Sequence, residues 1–284
     1  MEFIRNRKIW YALSLIVILA SLVSLFVQGL NFGIDFTGGT LLHLKFEKVD
    51  ITSAELRTAL EGFDLEKSSI QESDGSYIIK TVEMDQARQV EVLKGLEDTF
   101  GKYDLLRGEK VGPVIGKELR QAGILALIIA SILQVIYITV RFEFKFAIAA
   151  ILALLHDAII TVGFFSFLQY DVDTTFIAAI LTIIGYSIND TIVIFDRIRE
   201  NLKNRRKEDL ADLVNKSIKQ NLVRSINTSV AVLFILFALL IFGGETTKNF
   251  SVALLVGVVS GVYSSIFVAS PLWYDLRAEN KSKS

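Results

Sequence analysis

The sequence predicts an α-helical polytopic membrane protein: six transmembrane helices, with a small extracytoplasmic α+β domain between helices 1 and 2. Three observations predict it. Six apolar runs of about 20 residues are each long enough to span a bilayer. Apolar residues make up 52% of the 284, mean hydropathy is +0.48 and there are only two prolines. Between the first two runs the chain turns charged, with short alternating and helical patterns in place of continuous apolar sequence.

The first run, about Ile9–Val27, follows Arg5, Arg7 and Lys8. It exceeds the apolar region of about 7–15 residues in a secretory signal, and no small-x-small cleavage site follows. Residues 1–28 therefore read as an uncleaved anchor. The segment 29–121 reads as the inserted domain. Leu42, Leu44 and Phe46 alternate with His43, Lys45 and Glu47, a half-buried strand whose His43 faces the surface. Thr52 and Glu55 form a capping box, and Leu56, Leu60 and Phe63 share a helix face. Two short strands flank Asp74-Gly75, a two-residue hairpin signal. A second helix spans about Glu83–Phe100, with Ala87, Val90, Leu93 and Phe100 on one face and Gly101 as its stop. A last strand lies near Tyr103–Val111. The order β-α-β-β-α-β is the split ferredoxin-like pattern, which hosts many functions and settles none.

Residues 122–284 hold the remaining spans: about Ala122–Val140, Phe146–Leu168, Thr175–Asp196, Val223–Phe242 and Phe250–Tyr274. Between spans four and five, at about 199–222, Leu210, Leu213, Val214, Ile218 and Leu222 recur among Lys and Arg. That pattern predicts an amphipathic helix on the inner membrane surface. Six spans put both termini on one side. Seventeen of the 30 Lys and Arg lie on the segments of that side, whereas the short loops opposite hold only Lys248. The other 12 lie in 29–121, which is long enough to translocate regardless of charge. Both termini are predicted to be cytoplasmic.

Net charge is −1 and there is no cysteine, so nothing points to nucleic acid, and disulfide or thiol chemistry is excluded. The two histidines lie far apart in sequence, which argues against a metal site. No nucleophile–base set marks an enzyme.

The informative groups are polar residues inside apolar spans. Asp190 lies within the fourth, at a cost of roughly 2.5–3.5 kcal/mol for a charge at the bilayer centre. A chain carries that cost where the group meets a partner or water. Thr182, Tyr186, Asn189 and Asp190 form a polar stripe at helical spacing. Arg224, with Asn227 and Thr228 one turn on, enters the fifth span from the same side. Pairing with and separation from Arg224 would give Asp190 two environments, which a proton-binding switch requires. His156 and Asp157 in the third span are a second candidate pair, with a structural reading of buried, hydrogen-bonded packing. Ala253, Gly257, Gly261, Ser265 and Ala269 recur every fourth residue, a small-residue stripe for close helix contact. The glycine-rich stretch Gly29–Gly39, with Gly33, Asp35, Gly38 and Gly39, suits a tight backbone path. It lacks the features of a phosphate loop.

Taken together, these segments resemble the SecF members of the SecD/SecF family of protein-export membrane proteins, relatives of the resistance-nodulation-division transporters. The matching pieces are Gly33-Ile-Asp-Phe-Thr-Gly-Gly39, Val111–Leu119, His156-Asp157, Asn189–Glu200 and Arg224–Ser229. The resemblance implies a bacterial cytoplasmic membrane subunit that works with SecD, a homologous six-span partner, beside the SecYEG channel. The pair would use the proton gradient to draw an unfolded secretory polypeptide outward after the SecA motor has pushed it in. Protons would be the coupling ion, with no bound cofactor. The family links the residues here numbered Asp190 and Arg224 to proton transport. Without SecD and its large outer domain, the chain is expected to be the separate-subunit form. Two rivals stand beside this reading: a non-conducting assembly subunit of the translocon, and half of a small-molecule or lipid exporter.

Overall fold

The computed structural model describes residues 2–47, 50–73, 75–205 and 208–282. In chain order, α1 (Arg7–Val27) leads through β1 (Asn31–Phe32) and α2 (Ile34–Thr37) to β2 (Gly39–Phe46). Then come α3 (Ser53–Glu61), β3 (Ser69–Ser73), β4 (Ser76–Thr81), α4 (Gln86–Phe100) and β5 (Tyr103–Val111). The long helices follow: α5 (Pro113–Arg141), α6 (Phe144–Leu168), β6 (Asp171–Val172), α7 (Thr174–Lys203), α8 (Leu210–Phe242) and α9 (Glu245–Ser264). A π-helical turn, Ser265–Ala269, joins α9 to α10 (Ser270–Ser282). The chain divides into two compact units, Phe32–Ile124, and Met1–Asn31 with Leu125–Ser284.

The smaller unit holds a four-stranded sheet in the order β3-β4-β2-β5, every pairing antiparallel. Its elements follow the strand and helix order expected from the sequence. Leu42, Leu44 and Phe46 pack with Leu56 and Leu60 of α3 and with Val92, Leu96 and Phe100 of α4. The capping box forms: Thr52 N donates to Glu55 Oε2 at 2.8 Å, and Glu55 N donates to Thr52 Oγ1 at 3.2 Å. Ser73 pairs with Ser76 across a two-residue connection, and Gly75 has φ +72°. Asp74 itself lies outside the described residues. The Tyr77 hydroxyl donates to the Ile51 carbonyl inside this core. Burial pushes that phenol above its ordinary range, so it remains a donor.

Two expectations are corrected. The buried face of α4 carries Val92, Leu96 and Phe100, while Ala87 and Val90 are exposed. Both stripes fit a helical period, and the phase is set by which one meets the sheet. His43 is buried, with Nε2 2.7 Å from Ser76 Oγ, and does not face the surface. β2 is an inner strand, and alternation cannot reveal that its second face is covered as well.

The glycine motif closes on this unit. Gly33 precedes the single turn of α2, whose first turn contains Asp35. Gly38 and Gly39 have φ of +74° and +135°, outside the range of ordinary residues. A Cβ on Gly38 would lie 2.9 Å from Pro113 Cα, and one on Gly39 would lie 2.4 Å from the Thr81 carbonyl oxygen. Gly39→Ala is therefore expected to cost about 1–3 kcal/mol for backbone strain alone. Hydrogen exchange of the β2 amides in the full chain should speed up accordingly, with α6 and α7 unaffected.

The larger unit is a helix bundle. Among the described residues, six helices are long and apolar enough to cross a membrane: Arg7–Val27, Pro113–Arg141, Phe144–Leu168, Thr174–Lys203, Leu210–Phe242 and Thr246–Ala278. Several outrun the apolar runs because their polar ends carry no breaker. The largest departure is at 199–222. Among the described residues no separate surface helix forms there; its first residues end α7, and Leu210–Leu222 are the opening turns of α8. The apolar side of that segment, Leu210, Leu213, Val214 and Ile218, is buried in the bundle core and does not lie on lipid. Phe3 and Ile4 join the same core, and Ile4 N donates to Asn215 Oδ1 at 3.0 Å.

Small residues bring the helices close. A Cβ on Gly257 would fall 2.3 Å from Ile183, and one on Gly261 would fall 3.0 Å from Ser187 Cβ, so this stripe of α9 seats α7. Gly163 of α6 meets Ser21 of α1 in the same way, at 2.2 Å.

Candidate functional site

Asp157 is fully buried on α6, and four donors converge on its carboxylate. Ser187 of α7 donates to Oδ2 at 2.6 Å. Ser260 and Ser264 of α9 donate at 2.6 Å to Oδ1 and 2.7 Å to Oδ2. His156 Nδ1 lies 2.9 Å from Oδ1. One acceptor thus ties three helices, and both oxygens are saturated. The next layer continues the tie: Thr191 Oγ1 of α7 and Ser265 Oγ, at the start of the π turn, are 2.8 Å apart. Ser270 Oγ reaches back to the Ser265 carbonyl at 2.9 Å, serving the backbone where the helix widens.

Asp190 lies one helical turn further along α7 from Ser187 and is placed differently. It is 8% exposed, and its Oδ2 is buried without a hydrogen-bond partner. Ser225 and Arg224 of α8 are its polar neighbours on the adjoining helix. Ser225 Oγ is likewise buried without a partner, so no hydrogen bond of sound geometry closes between them. Arg224 is exposed and joins no ion pair among the described residues, so the expected Asp190–Arg224 pair is not formed in this conformation. Helix phase is the reason. Ser225 sits about 100° around α8 from Arg224 and turns inward, while Arg224, Asn227 and Thr228 turn outward. Thr182 and Asn189 of α7 are exposed too, and Tyr186 Oη meets Ser229 Oγ at 3.2 Å. The result is a buried acid with one unsatisfied oxygen beside a polar face on two membrane-length helices.

The sequence profile described as "Protein export membrane protein SecD/SecF, C-terminal" matches residues 91–279. The chain belongs to the SecD/SecF family. A second profile, the SecD/SecF GG motif, covers residues 23–48, which include Gly38 and Gly39. The protein translocase subunit SecF of Sebaldella termitidis is 45% identical over 99% of this chain and 93% of its own length. That of Pseudomonas aeruginosa is 42% identical over 98% and 93%. The crystal structure of SecDF from Thermus thermophilus, a translocon-associated membrane protein, superposes with a TM-score of 0.90 at 37% identity. That match covers 99% of this chain and 39% of the SecDF chain.

Within this SecD/SecF chain, the residues singled out from sequence fall into four groups. His156 and Asp157 sit in the saturated cluster. Asp190, Asn189 and Arg224 sit on and behind the polar face. Gly33, Asp35, Gly38 and Gly39 belong to the smaller unit, and Gly257 and Gly261 to helix packing. Ser187, Ser225, Ser260 and Ser264 escaped sequence reading. The available signal was position: Ser187 and Ser225 flank the acid and base already picked out, and Ser260 and Ser264 flank Gly261. Among the described residues, no group of three or more His, Cys, Asp or Glu could hold a metal ion.

Proposed function

We propose that this chain is the accessory subunit of the Sec translocase that, together with SecD, converts the proton-motive force into export of unfolded polypeptides through SecYEG. It performs no covalent chemistry, and protons are its coupling ion. One observation carries this reading: Asp190 is buried in the bundle with an unsatisfied carboxylate oxygen, and the adjoining face presents Asn189, Arg224, Asn227 and Thr228 outward. Lipid cannot hydrogen-bond such groups, so that face suits a partner's helices and the water between them. The SecDF fusion relative of Bacillus subtilis, 41% identical over 96% of this chain, supports SecD as that partner.

In this mechanism Asp190 takes a proton from one side of the membrane and releases it to the other. Arg224 swings toward the charged carboxylate and away from the neutral acid. The change shifts α7 against α8, and the motion is passed to the domain at 32–124. The charge distribution supports both termini in the cytoplasm and that domain outside. The drive is about 2.3 kcal/mol per proton per 100 mV, enough to bias a two-state element more than tenfold.

Arg224→Met tests the reading. The variant should still assemble with SecD on a native gel, yet its gradient-dependent proton flux in vesicles should fall at least about tenfold, equivalent to roughly 1.4 kcal/mol. Undiminished flux would remove Arg224 from the mechanism. Loss of the complex would favour the assembly-subunit reading.

A further inference from the structure

The helix bundle also holds a cavity of about 530 Å³ among α1, α6, α8 and α9. That volume lies within the range of about 300–1,000 Å³ typical of small-molecule sites. Its walls are apolar, and Leu13, Phe237 and Val259 at its edge are exposed, so it opens sideways toward the bilayer. Four polar side chains lie on it: Ser14, His156, Ser260 and Tyr263. Three of them donate their hydroxyl hydrogens within the protein. Ser14 Oγ donates to Tyr263 Oη at 3.2 Å, Tyr263 Oη donates to the Trp10 carbonyl at 3.0 Å, and Ser260 Oγ donates to Asp157 at 2.6 Å. The fourth, His156, is 3% exposed, and its Nε2 has no partner.

The chemistry of that nitrogen narrows the occupant. Asp157 Oδ1 accepts from His156 Nδ1, so in the neutral ring Nε2 is the acceptor. A water alone would leave the apolar walls of the cavity unfilled. A plain acyl chain fills the space and leaves the nitrogen bare. We propose that this cavity binds a membrane-soluble alcohol: an apolar body seated among α1, α6, α8 and α9, with its hydroxyl donating to His156 Nε2. The site stands apart from the polar face of α7 and α8, and it does not depend on proton carriage by Asp190.

The test uses the full chain in lipid nanodiscs and two photoreactive probes, a long-chain alcohol bearing a diazirine and its methyl ether. The alcohol should label peptides around His156 and Val259 about tenfold more than the ether does, when each is scaled to labelling at the exposed Phe26 of α1. His156→Asn keeps an amide N–H toward Asp157 and deletes Nε2, and should erase the preference. Val259→Trp fills the mouth and should abolish cavity labelling by the alcohol without touching the Asp157 cluster. Equal labelling by the two probes overturns the proposal. So does cavity labelling no stronger than at Phe26, or labelling that survives Val259→Trp.

Discussion

Asp190→Asn is expected to remove the gradient-dependent part of polypeptide export completely while leaving the subunit folded and assembled. Asparagine matches the shape of aspartate and cannot bind or release a proton in the working range. The side chain is 8% exposed with one oxygen unpartnered, so the substitution breaks no hydrogen bond to that oxygen. It also deletes a charge whose insertion costs roughly 2.5–3.5 kcal/mol. Stability should hold or rise. The measurement is export into inverted membrane vesicles with and without an imposed proton gradient, at matched subunit levels. Asp190→Asn vesicles should export with the gradient as wild-type vesicles do without it. A full gradient response from the variant would take Asp190 out of the mechanism.

Asp157→Ala is expected to act in the opposite way, through folding. It strips the acceptor from Ser187, Ser260, Ser264 and His156 at once, in a site with no exposure. Leaving buried donors without an acceptor costs about 1–3 kcal/mol for each, and the vacated volume adds to that. Trp10 and Trp273 both lie in the larger unit, so their fluorescence reports its thermal unfolding. The midpoint should drop steeply, or the chain should fail to accumulate. Asp157→Asn, which keeps the shape and turns one acceptor into a donor, should lose about 1–3 kcal/mol. If Asp157→Ala melts like wild type, the cluster is not what joins α6, α7 and α9. The two carboxylates thus separate by test: one variant is silent in stability and dead in coupling, the other fails first in stability.

Much of this was legible in the residues because it depends on local pattern. Apolar length marked the six spans, and the capping box at Thr52 and the spacing around Asp74-Gly75 placed a helix start and a hairpin. Asp190 stood out because a carboxylate within an apolar run is costly wherever the run goes. What stayed hidden depends on partners brought in by the fold. A serine or threonine in a membrane helix is commonly satisfied by the carbonyl one turn back, as Thr161 and Thr182 are here. Ser187, Ser260 and Ser264 look no different in sequence until α7 and α9 close on Asp157. Arg224 and Ser225 are neighbours in the chain, and only the rotation of α8 decides which of them faces the acid. The continuity of α8 was obscured by composition: the change from charged to apolar near Val223 reads as a boundary, yet neither Pro nor Gly stands there to break the helix.

The central claim is that Asp190 gains and loses a proton inside the bundle. Infrared difference spectroscopy of the subunit assembled with SecD, stepped from acid to alkaline, tests it most directly. The account predicts a protonated-carboxyl band that vanishes as the medium turns alkaline, is missing in Asp190→Asn and persists in Arg224→Met. A wild-type spectrum with no such band, or the same band unchanged in Asp190→Asn, would contradict it.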